Sequence, residues 1–430
     1  MPRSRREAAA ALVVGAGPAG LFLAARLARE IGGGVILLER GPRPGRKLLA
    51  SGSGQCNITH AGPIADFLGK YCGGGRAPSG GRLAAERFLK HPLYAFTNAE
   101  LGAWFLERGL AFEEEEGGKI FPASRRASDV LGLLLAECSS LGVELCADSR
   151  VVAARAAGGD FELELEGGAG IVLRAPLLAL ATGGMSYPGT GSSGDGYRLA
   201  ASFGHGIVEP RPALSPVSVR DFALARLAGV GFSDLPFALR RAGARPLRAR
   251  GDVLITHEGF SGPGILDASR SMSPGDELEL DFSRSGYEGF REAFMRQASG
   301  WPRSLTKNAL AEAGIPKRMA ELFCELASVR ADETCASLRR ESREALLRMA
   351  TAYSARIDSL GGFDKAMVTA GGVALDEVYP AAMESRLVPG LFFAGEILDY
   401  DGDTGGYNLQ AAFSTGAAAA RAMAVRASAS

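Results

Sequence analysis

The sequence predicts an α/β protein in which one nucleotide-binding domain is built from both ends of the chain and is interrupted by β-rich and helical insertions. Three observations lead to this prediction. Residues 9–39 read as strand, glycine turn, helix, strand and acid; the α/β alternation is lost between about 205 and 355; and glycine-rich turns return near the C-terminus. With 430 residues, 47% of them hydrophobic, the chain is long enough for two or three domains.

The N-terminal stretch has the pattern of a dinucleotide-binding βαβ unit. In such a unit the first glycine permits the tight turn, the second lets the backbone approach a pyrophosphate, and the third lets helix and strand pack closely. Amides at the helix N-terminus then face the phosphates. An acid 19 residues after the last glycine is placed to bind the ribose hydroxyls. The predicted contacts are Gly15, Gly17, Pro18, Ala19, Gly20, Glu39 and Arg40.

Residues 41–60 form a polar, glycine-rich connection where an ordinary α/β protein would begin another helix. Small residues and free amides suit a segment that wraps around a ligand. Arg46 and Lys47 are available for phosphate, and Cys56 and Asn57 for a ring system. A solvated loop is the alternative interpretation. The further predicted contacts in this connection are Ser51, Gly52 and Gly54.

Three short runs between 151 and 174 alternate apolar and polar residues and predict an antiparallel meander. The next run, 177–181, predicts a buried strand that stops at Thr182-Gly183-Gly184. A strand that ends in this way beside a meander, downstream of a βαβ unit, resembles the flavoproteins with two dinucleotide-binding domains, whose main ligand is FAD. We therefore predict FAD as the cofactor, with Thr182, Gly183 and Gly184 in contact with it.

Near the C-terminus, a strand at 390–394 leads into Gly395 and Glu396, and a long alanine-rich helix begins after two glycines. Amides at such a helix N-terminus carry a partial positive charge, which suits a partly anionic ring such as a reduced flavin. The candidates for the ribityl hydroxyls are Glu396, Asp399 and Asp401. The predicted contacts are Gly395, Glu396, Asp399, Gly405, Gly406, Tyr407 and Asn408.

The predicted domains are an FAD-binding domain made of 1–204 and 351–430, a β-rich domain at 205–285 and a helical insert at 286–350. Residues 211–250 contain eight Arg and two Asp, a local charge of +6. This segment is interpreted either as a solvated surface or as a contact for RNA phosphates.

Composition excludes several classes of protein. The formal net charge is zero, so the whole molecule is not an electrostatic binder. Six cysteines without a C-x-x-C pair argue against a zinc site or a redox pair, so no metal is expected, and they fit a reducing compartment such as the cytoplasm. No apolar run reaches 18 residues, so no membrane span is expected.

Several linked motifs resemble one family across essentially the whole chain. They are Gly45-Arg-Lys-Leu-Leu-Ala-Ser-Gly-Ser-Gly-Gln-Cys-Asn57, Leu180-Ala-Thr-Gly-Gly-Met-Ser-Tyr-Pro188, Thr256-His-Glu-Gly-Phe-Ser-Gly-Pro263, Val368-Thr-Ala-Gly-Gly-Val373, Gly395-Glu-Ile-Leu-Asp399 and Thr404-Gly-Gly-Tyr-Asn-Leu-Gln410. Together they resemble the BaiN-like or YhiN-like flavoproteins, also called aminoacetone oxidase family FAD-binding enzymes. Gln55 and His60 depart from the family pattern, which has Arg and Asn at these places.

The resemblance implies FAD, a three-part architecture and oxidoreductase activity. Members are linked to reduction of conjugated carbon-carbon double bonds in steroid-like enones and of uracil in ribosomal RNA. The first hypothesis is therefore an NAD(P)H-driven reductase of an enone-like small molecule. The alternatives are a uridine reductase (dihydrouridine synthase) acting on structured ribosomal RNA, an amine oxidase, and a flavin sensor without turnover.

A reductase of this kind also needs an electron donor and a proton donor. Because the chain has no second G-x-G-x-x-G in a βαβ context, a nicotinamide would dock directly against the flavin. The candidate proton donors are His257, Cys56 and Tyr407, with Tyr187 as a further possibility. The competing interpretations are a turn residue bonded to backbone for His257 and a small packing residue for Cys56.

Overall fold

The structure is a computed structural model that describes residues 9–73, 81–167 and 172–429. It divides into two compact units. The first combines the chain up to Ala213 with the chain from Phe363 onward, and the second is Leu214–Gly362. The predicted α/β fold, with a discontinuous Rossmann-like domain and an insertion, is confirmed.

The described chain contains the following strands and α-helices. The strands are β1 (Ala11–Val14), β2 (Val35–Leu38), β3 (Thr59–His60), β4 (Tyr71–Gly73), β5 (Phe112–Glu114), β6 (Lys119–Pro122), β7 (Glu144–Cys146), β8 (Val151–Ala157), β9 (Asp160–Leu165), β10 (Val172–Ala175), β11 (Leu177–Leu180), β12 (Ile207–Ala213), β13 (Val217–Val219), β14 (Gly231–Arg240), β15 (Leu247–Ile255), β16 (Gly259–Ser261), β17 (Glu277–Leu280), β18 (Tyr353–Leu360), β19 (Val368–Val373), β20 (Leu391–Phe393) and β21 (Tyr400–Gly402). The α-helices are α1 (Pro18–Ile31), α2 (Arg46–Ala50), α3 (Gly81–Ala95), α4 (Asn98–Leu106), α5 (Ala127–Ser140), α6 (Asp195–Ser202), α7 (Pro263–Ala268), α8 (Gly286–Gly300), α9 (Thr306–Glu312), α10 (Lys317–Leu326), α11 (Arg340–Thr351) and α12 (Tyr407–Ser428).

A five-stranded parallel sheet in the order β20-β11-β1-β2-β7 lies at the centre of the first unit. Its central strands are continuous apolar runs because helices cover both faces of such a sheet. Val14 pairs with both Leu180 and Leu38. The turns that follow β1, β11 and β2 therefore meet at one edge of the sheet, where open α/β sheets bind ligands.

The last helix completes this unit. α12 packs along α1, and Gly416 permits the approach, because a Cβ at that position would lie 2.8 Å from the carbonyl oxygen of Ala19. Phe22 on α1 contacts Phe413 and Trp104, with ring centroids 5.2 and 4.9 Å away. Helices from the two ends of the chain thus share one core.

The second unit is a closed six-stranded barrel, β13-β16-β15-β14-β17-β18, together with helices α7 to α11. Barrel residues such as Leu280 and Ile357 share a hydrophobic core with helix residues such as Phe290 and Phe323. The β-rich and helical segments, predicted as separate domains, are therefore one unit. In the part of the chain that the structure describes, no helix is both long and apolar enough to cross a membrane.

The predicted boundaries at 204/205 and 350/351 also need correction. β12 pairs with β19 in the first unit, so this unit extends to Ala213. β18, which the sequence did not predict, pairs with β13 and β17 and closes the barrel. Residues 351–362 therefore belong to the second unit.

A buried histidine lies between α6 and β12. His205 Nδ1 is 3.1 Å from Glu377 Oε2, and its Nε2 is 2.8 Å from Ser385 Oγ. Because Ser385 Oγ already accepts from the amides of Leu387 and Val388, its own hydrogen is available for Nε2. The imidazole is therefore neutral. Burial lowers the pKa of His205, and the nearby Glu377 carboxylate only partly opposes this effect.

This environment predicts a pH-dependent stability. An unfolded imidazole takes up a proton near pH 6.5, whereas folded His205 does so only at lower pH. The contribution of neutral His205 to the free energy of unfolding is therefore present above pH 6.5, and it is lost as the pH falls through the folded pKa. We expect the urea midpoint of the parent protein to decrease as the pH is lowered from 7 to 5, and to decrease less in His205→Asn. Trp104 fluorescence in a Trp301→Phe background reports on the first unit alone.

The control is His91→Asn, which changes an exposed histidine on α3 and should keep the parental pH dependence. Equal pH dependence in His205→Asn and the parent would contradict the prediction.

Candidate functional site

The glycine turn after β1 is constrained by backbone contacts. Gly15 has φ 103°, and a Cβ there would lie 2.5 Å from the carbonyl oxygen of Ala181. A Cβ on Gly20 would lie 1.9 Å from the carbonyl oxygen of Gly15. Only glycine therefore fits at either position without movement of the backbone.

Gly17 differs from its two neighbours in the motif. It is the N-cap of α1, ahead of Pro18, and a Cβ built there meets no atom within 4 Å. Packing within the described chain therefore does not require glycine at position 17. Gly17 leaves room beside the first amides of α1, where a phosphate binds in a dinucleotide-binding turn.

Glu39, at the end of β2, lies against this turn. Its Oε2 accepts from the amide of Ala16 at 3.1 Å, and its Oε1 accepts from the amide of Gly41 at 2.8 Å. The carboxylate is therefore held next to the glycine turn, where the predicted ribose contact requires it. Arg40 turns toward residues 191–195 and forms an ion pair with Asp195 at 3.2 Å.

The connection after β2 is joined to the C-terminal half of the site by an ion pair. Lys47 Nζ donates to both carboxylate oxygens of Glu396, at 2.9 and 2.7 Å. Glu396 Oε1 also accepts from the amide of Thr369 at 2.8 Å. The connection is not a plain loop, because 46–50 form the short helix α2, on which Arg46 is exposed.

The turn after β11 is held by Thr369. Its Oγ1 accepts from the amides of Met185 and Ser186, at 2.8 and 3.0 Å. Gly184 permits this contact, since a Cβ there would lie 2.4 Å from Thr369 Oγ1. Thr182 Oγ1, in the same turn, is buried without a hydrogen-bond partner among the described residues. An orphaned buried hydroxyl of this kind is an available contact for a ligand.

Thr369→Val should destabilise the first unit by about 2–6 kcal/mol, because it leaves two amides without an acceptor at about 1–3 kcal/mol each. The measurement is the urea midpoint of the apoprotein, followed through Trp104. Thr369→Ser retains the hydroxyl and should lose less than half as much. Equal losses in the two variants would show that the methyl group, and not the hydroxyl, is responsible.

The segment from Ser51 to Asn57 turns back on itself. Gly52 and Gly54 have φ 56° and 88°, and Cys56 has φ 62°. The amide of Cys56 donates to Ser51 O at 3.0 Å. Burial raises the pKa of the Cys56 thiol to about 12, and a hydrogen bond with Ser51 acts in the opposite direction. The thiol is therefore a weaker acid than a free cysteine.

Asn57 joins this segment to the N-terminus of α12. With its oxygen turned toward the helix, the side chain accepts from the amide of Gly406 at 3.3 Å and donates to the carbonyls of Thr59 and Ile120. Gly406 has φ 95°, and a Cβ there would lie 2.4 Å from Thr59 O. β3 and the start of α12 are thus in direct backbone contact.

The first residues of α12 have defined partners. Asn408 Oδ1 accepts from the amide of Gly402 at 2.7 Å and stabilises the turn before the helix. The Tyr407 ring stacks on the His60 ring, with centroids 5.1 Å apart and an interplanar angle of 15°. Gly405 has φ 120°, and a Cβ there would lie 3.1 Å from the Tyr407 ring.

The structure brings the five predicted segments of the first unit together. Direct contacts join Gly15 to Ala181, Ala19 to Gly395, Lys47 to Glu396, Gly184 to Glu396 and Asn57 to Gly406. Arg40 and exposed Arg46 do not join these contacts. Asp399 and Asp401 are buried at and beside β21, and their ribityl role stays a prediction.

His257 belongs to the second unit. It is exposed in the turn between β15 and β16, where the Thr256 amide donates to Gly259 O at 2.8 Å. Tyr187 lies after Ser186 with φ 54°, and its amide donates to Phe363 O. No group of His, Cys, Asp and Glu within the described residues could hold a metal ion.

Sequence reasoning missed Thr369 and gave His60 no role in the site. Thr369 lies within the Val368–Val373 motif, but its partners are more than 180 positions away. The sequence signal that could have pointed to His60 is that it stands where the family pattern has Asn. Its contact with Tyr407 joins residues 347 positions apart, which no local pattern reports.

The Arg-rich segment is largely neutralised by acids. The ion pairs are Arg220 with Asp358, Arg226 with Glu325, Arg240 with Glu279, Arg241 with Asp276 and Arg250 with Asp234. All five lie within the second unit. Hydrogen bonds from Arg241 hold the pKa of Asp276 below its usual range. The local charge of +6 therefore overstates the free positive charge of this surface.

The residues that converge at the sheet edge fit a dinucleotide. The space at Gly17 suits a pyrophosphate, the Thr182 hydroxyl is an unused buried contact, and the glycine start of α12 exposes amides. FAD at this place would supply a ring that accepts and donates hydride. The residues of the chain would anchor it at both ends.

The similarity of the chain to known proteins is consistent with a dinucleotide site at this sheet edge. A family model described as "HI0933-like protein Rossmann domain" matches residues 9–422. The chain is 31% identical over 412 residues to "Ribosomal RNA dihydrouridine synthase" of Escherichia coli, covering 96% of this chain and 97% of the relative. It is 33% identical over 423 residues to "3-dehydro-bile acid delta(4,6)-reductase" of Clostridium scindens, covering 96% and 98%.

Among solved structures, the fold is similar to 3-ketosteroid-delta4-(5alpha)-dehydrogenase from Rhodococcus jostii, with a TM-score of 0.50 and 16% identity. The likeness covers 97% of each chain.

Proposed function

The chain belongs to the HI0933-like Rossmann-domain family of FAD-dependent oxidoreductases, and we propose that it reduces a carbon-carbon double bond conjugated to a carbonyl in an enone-like small molecule. Family membership confirms the resemblance to the BaiN-like flavoproteins. FAD held by the converging segments would supply the hydride for the double bond, with NAD(P)H as the proposed electron donor.

The reaction class is supported by the names of the two relatives. A delta(4,6)-reductase and a dihydrouridine synthase are both named for the addition of hydrogen to a double bond. Each aligns over 96% of this chain, and the family model, which matches residues 9–422, spans every segment that converges at the sheet edge. We infer the same class of reaction here.

The preference for a small molecule rests on one observation, the pairing of the Arg-rich segment. Five of its eight arginines form ion pairs with acids of the same unit. A surface that binds RNA relies on basic groups that are free to replace counterions at phosphates. The second unit offers few such groups in this segment.

The test is anaerobic stopped-flow absorbance at 450 nm. NADH or NADPH should bleach the flavin, and a cyclic enone should then restore the oxidised spectrum while a product two mass units heavier accumulates. A saturated ketone of the same skeleton is the control and should leave the flavin reduced. Flavin that neither nucleotide bleaches, or that no enone reoxidises, would refute the proposal. Rapid reoxidation by air with consumption of an amine would indicate an oxidase.

A second candidate is reduction of uracil in ribosomal RNA, which the similarity to the Escherichia coli protein supports. Arg245 and Arg248, exposed near the connection of β14 and β15, form no ion pair with the described residues. If both contact single-strand phosphates, log affinity should fall with log salt at a slope of about −1.4, compared with about −4 for six charges. Arg245→Gln with Arg248→Gln should remove that slope.

Mass spectrometry of ribosomal RNA from a deletion strain and its parent decides between the two candidates. Loss of a nucleoside two mass units heavier than uridine would favour RNA. An unchanged RNA together with enone turnover would favour the small molecule.

A further inference from the structure

We propose that His60 delivers the proton in the reduction described above, acting from Nε2 of its imidazole. This inference rests on the proposed function and assigns the missing acid. Imidazole is the side chain that ordinarily changes charge near neutral pH, which suits it to proton transfer.

The hydrogen bond of the ring selects the atom. His60 Nδ1 lies 2.9 Å from the carbonyl oxygen of Ala61. Because a carbonyl only accepts, Nδ1 carries the hydrogen, so Nε2 is the nitrogen that gains and loses the exchangeable proton. No hydrogen-bond partner of Nε2 lies among the described residues. The ring is therefore fixed at one nitrogen and available at the other.

Packing positions the ring at the start of α12. One face of the imidazole stacks on Tyr407, which directly follows Gly405 and Gly406. Gly118 lies at its edge, where a Cβ would be 2.4 Å from Cε1 of His60. His60 is also three residues beyond Asn57, which accepts from the amide of Gly406. The ring is thus held beside two segments that converge in the predicted flavin half of the site.

A cavity of about 270 Å³ lies beside His60. His60 lines it together with Asn98, and most of its other walls are apolar side chains such as Ile58, Phe112 and Ile120. Water in this cavity can return a proton to the imidazole after turnover.

The titratable groups on the elements around the ring are Lys119 on β6, Lys70 on the 3₁₀ helix Ile64–Lys70, Glu100 on α4 and Tyr407 on α12.

The other candidate donors are less suitable. Burial makes the Cys56 thiol a weaker acid, with its pKa raised to about 12. His257 lies in the second unit, in an exposed hairpin turn. His205 is buried and already engages both Ser385 and Glu377. His60 alone among these combines an imidazole, a free nitrogen and contact with the cofactor-binding segments.

FAD held by these segments would, in its reduced form, supply hydride to the substrate carbon β to the carbonyl. The proton on Nε2 of the His60 imidazolium moves to the α carbon, so the double bond becomes a single bond. Neutral His60 then regains a proton from water.

The first test uses the holoenzyme and the variant His60→Gln. We expect product formation to slow by about 10²- to 10⁴-fold, with flavin reduction by NAD(P)H changed less than threefold. The parental rate should fall with rising pH, because only the protonated ring can donate, and this dependence should be absent in the variant. His91→Gln, which changes an exposed histidine on α3, is the control. If His60→Gln loses flavin, His60→Asn replaces it as the test variant.

A second readout needs no substrate. In ¹⁵N-histidine NMR of the holoenzyme, the signal lost in His60→Gln should show that the neutral ring is the Nδ1-H tautomer. An Nε2-H tautomer would overturn the inference. Product formation within twofold of the parent in His60→Gln, with the same pH profile, would overturn it as well.

The two proposals can fail separately. If the parent enzyme reduces neither enones nor RNA, the proposed function fails, whatever the NMR spectrum shows. If the parent is active and His60→Gln keeps both its rate and its pH profile, only the role of His60 fails.

Discussion

Gly20→Ala is expected to yield a protein without FAD and with a first unit destabilised by about 3 kcal/mol or more. The new Cβ would lie 1.9 Å from the carbonyl oxygen of Gly15 and 3.3 Å from the Cβ of Ala181. The first of these contacts is with backbone, so the turn itself must move, at the upper end of the usual cost of overpacking. The measurements are the 450 to 280 nm absorbance ratio and the urea midpoint of the apoprotein.

Gly17→Ala is the matched comparison within the same turn. Because a Cβ at Gly17 meets nothing within 4 Å, the apoprotein should keep its stability within about 0.5 kcal/mol. The methyl group would occupy the space of the pyrophosphate, so FAD affinity should fall roughly 5- to 150-fold, equivalent to about 1–3 kcal/mol. If Gly17→Ala binds FAD as tightly as the parent, the space beside Gly17 is not the phosphate site.

Gly406→Ala should be almost as damaging at the other end of the site. Gly406 has φ 95°, a left-handed conformation that costs an L-residue about 1–2 kcal/mol. In addition, a Cβ would lie 2.4 Å from Thr59 O, which adds about 1–3 kcal/mol. We expect a loss of about 2–5 kcal/mol in unfolding free energy, together with loss of the flavin visible spectrum, measured as for Gly20→Ala.

The control for both glycine variants is Gly132→Ala. Gly132 lies inside α5, and a Cβ there meets nothing within 4 Å. Alanine at this helical position should raise stability by about 0.4–1 kcal/mol. A similar gain in Gly406→Ala would mean that the start of α12 is not in close contact with β3.

The fold of the first unit follows from sequence because its signals are local. Each glycine turn follows directly after an apolar strand, so residues such as Gly15 and Gly184 could be placed at one sheet edge before any contact was known. The same reasoning assigned the start of α12 to the flavin half of the site, and this role stays a prediction. What it could not provide was the pairing within the site, such as Lys47 with Glu396, because those residues are 349 positions apart.

The second unit was harder to predict for two physical reasons. β14 contains Pro236, which argues against a central strand, but its pairing with β17 begins only at Phe237. The charge of the Arg-rich segment was counted locally, although Arg220 and Arg241 find acids 138 and 35 positions away. A local charge count cannot include partners that only the fold supplies.

The discontinuous first unit has a consequence for synthesis of the protein. β20 and α12 are made after the inserted unit, so the edge of β11 and the face of α1 that packs on α12 have no partner until these elements leave the ribosome. The inserted unit, Leu214–Gly362, is complete earlier and can fold while the nascent N-terminal segment waits. A chain truncated before α12 would therefore keep a folded insertion but no cofactor site, so flavin capture by a nascent chain reports that α12 has been made.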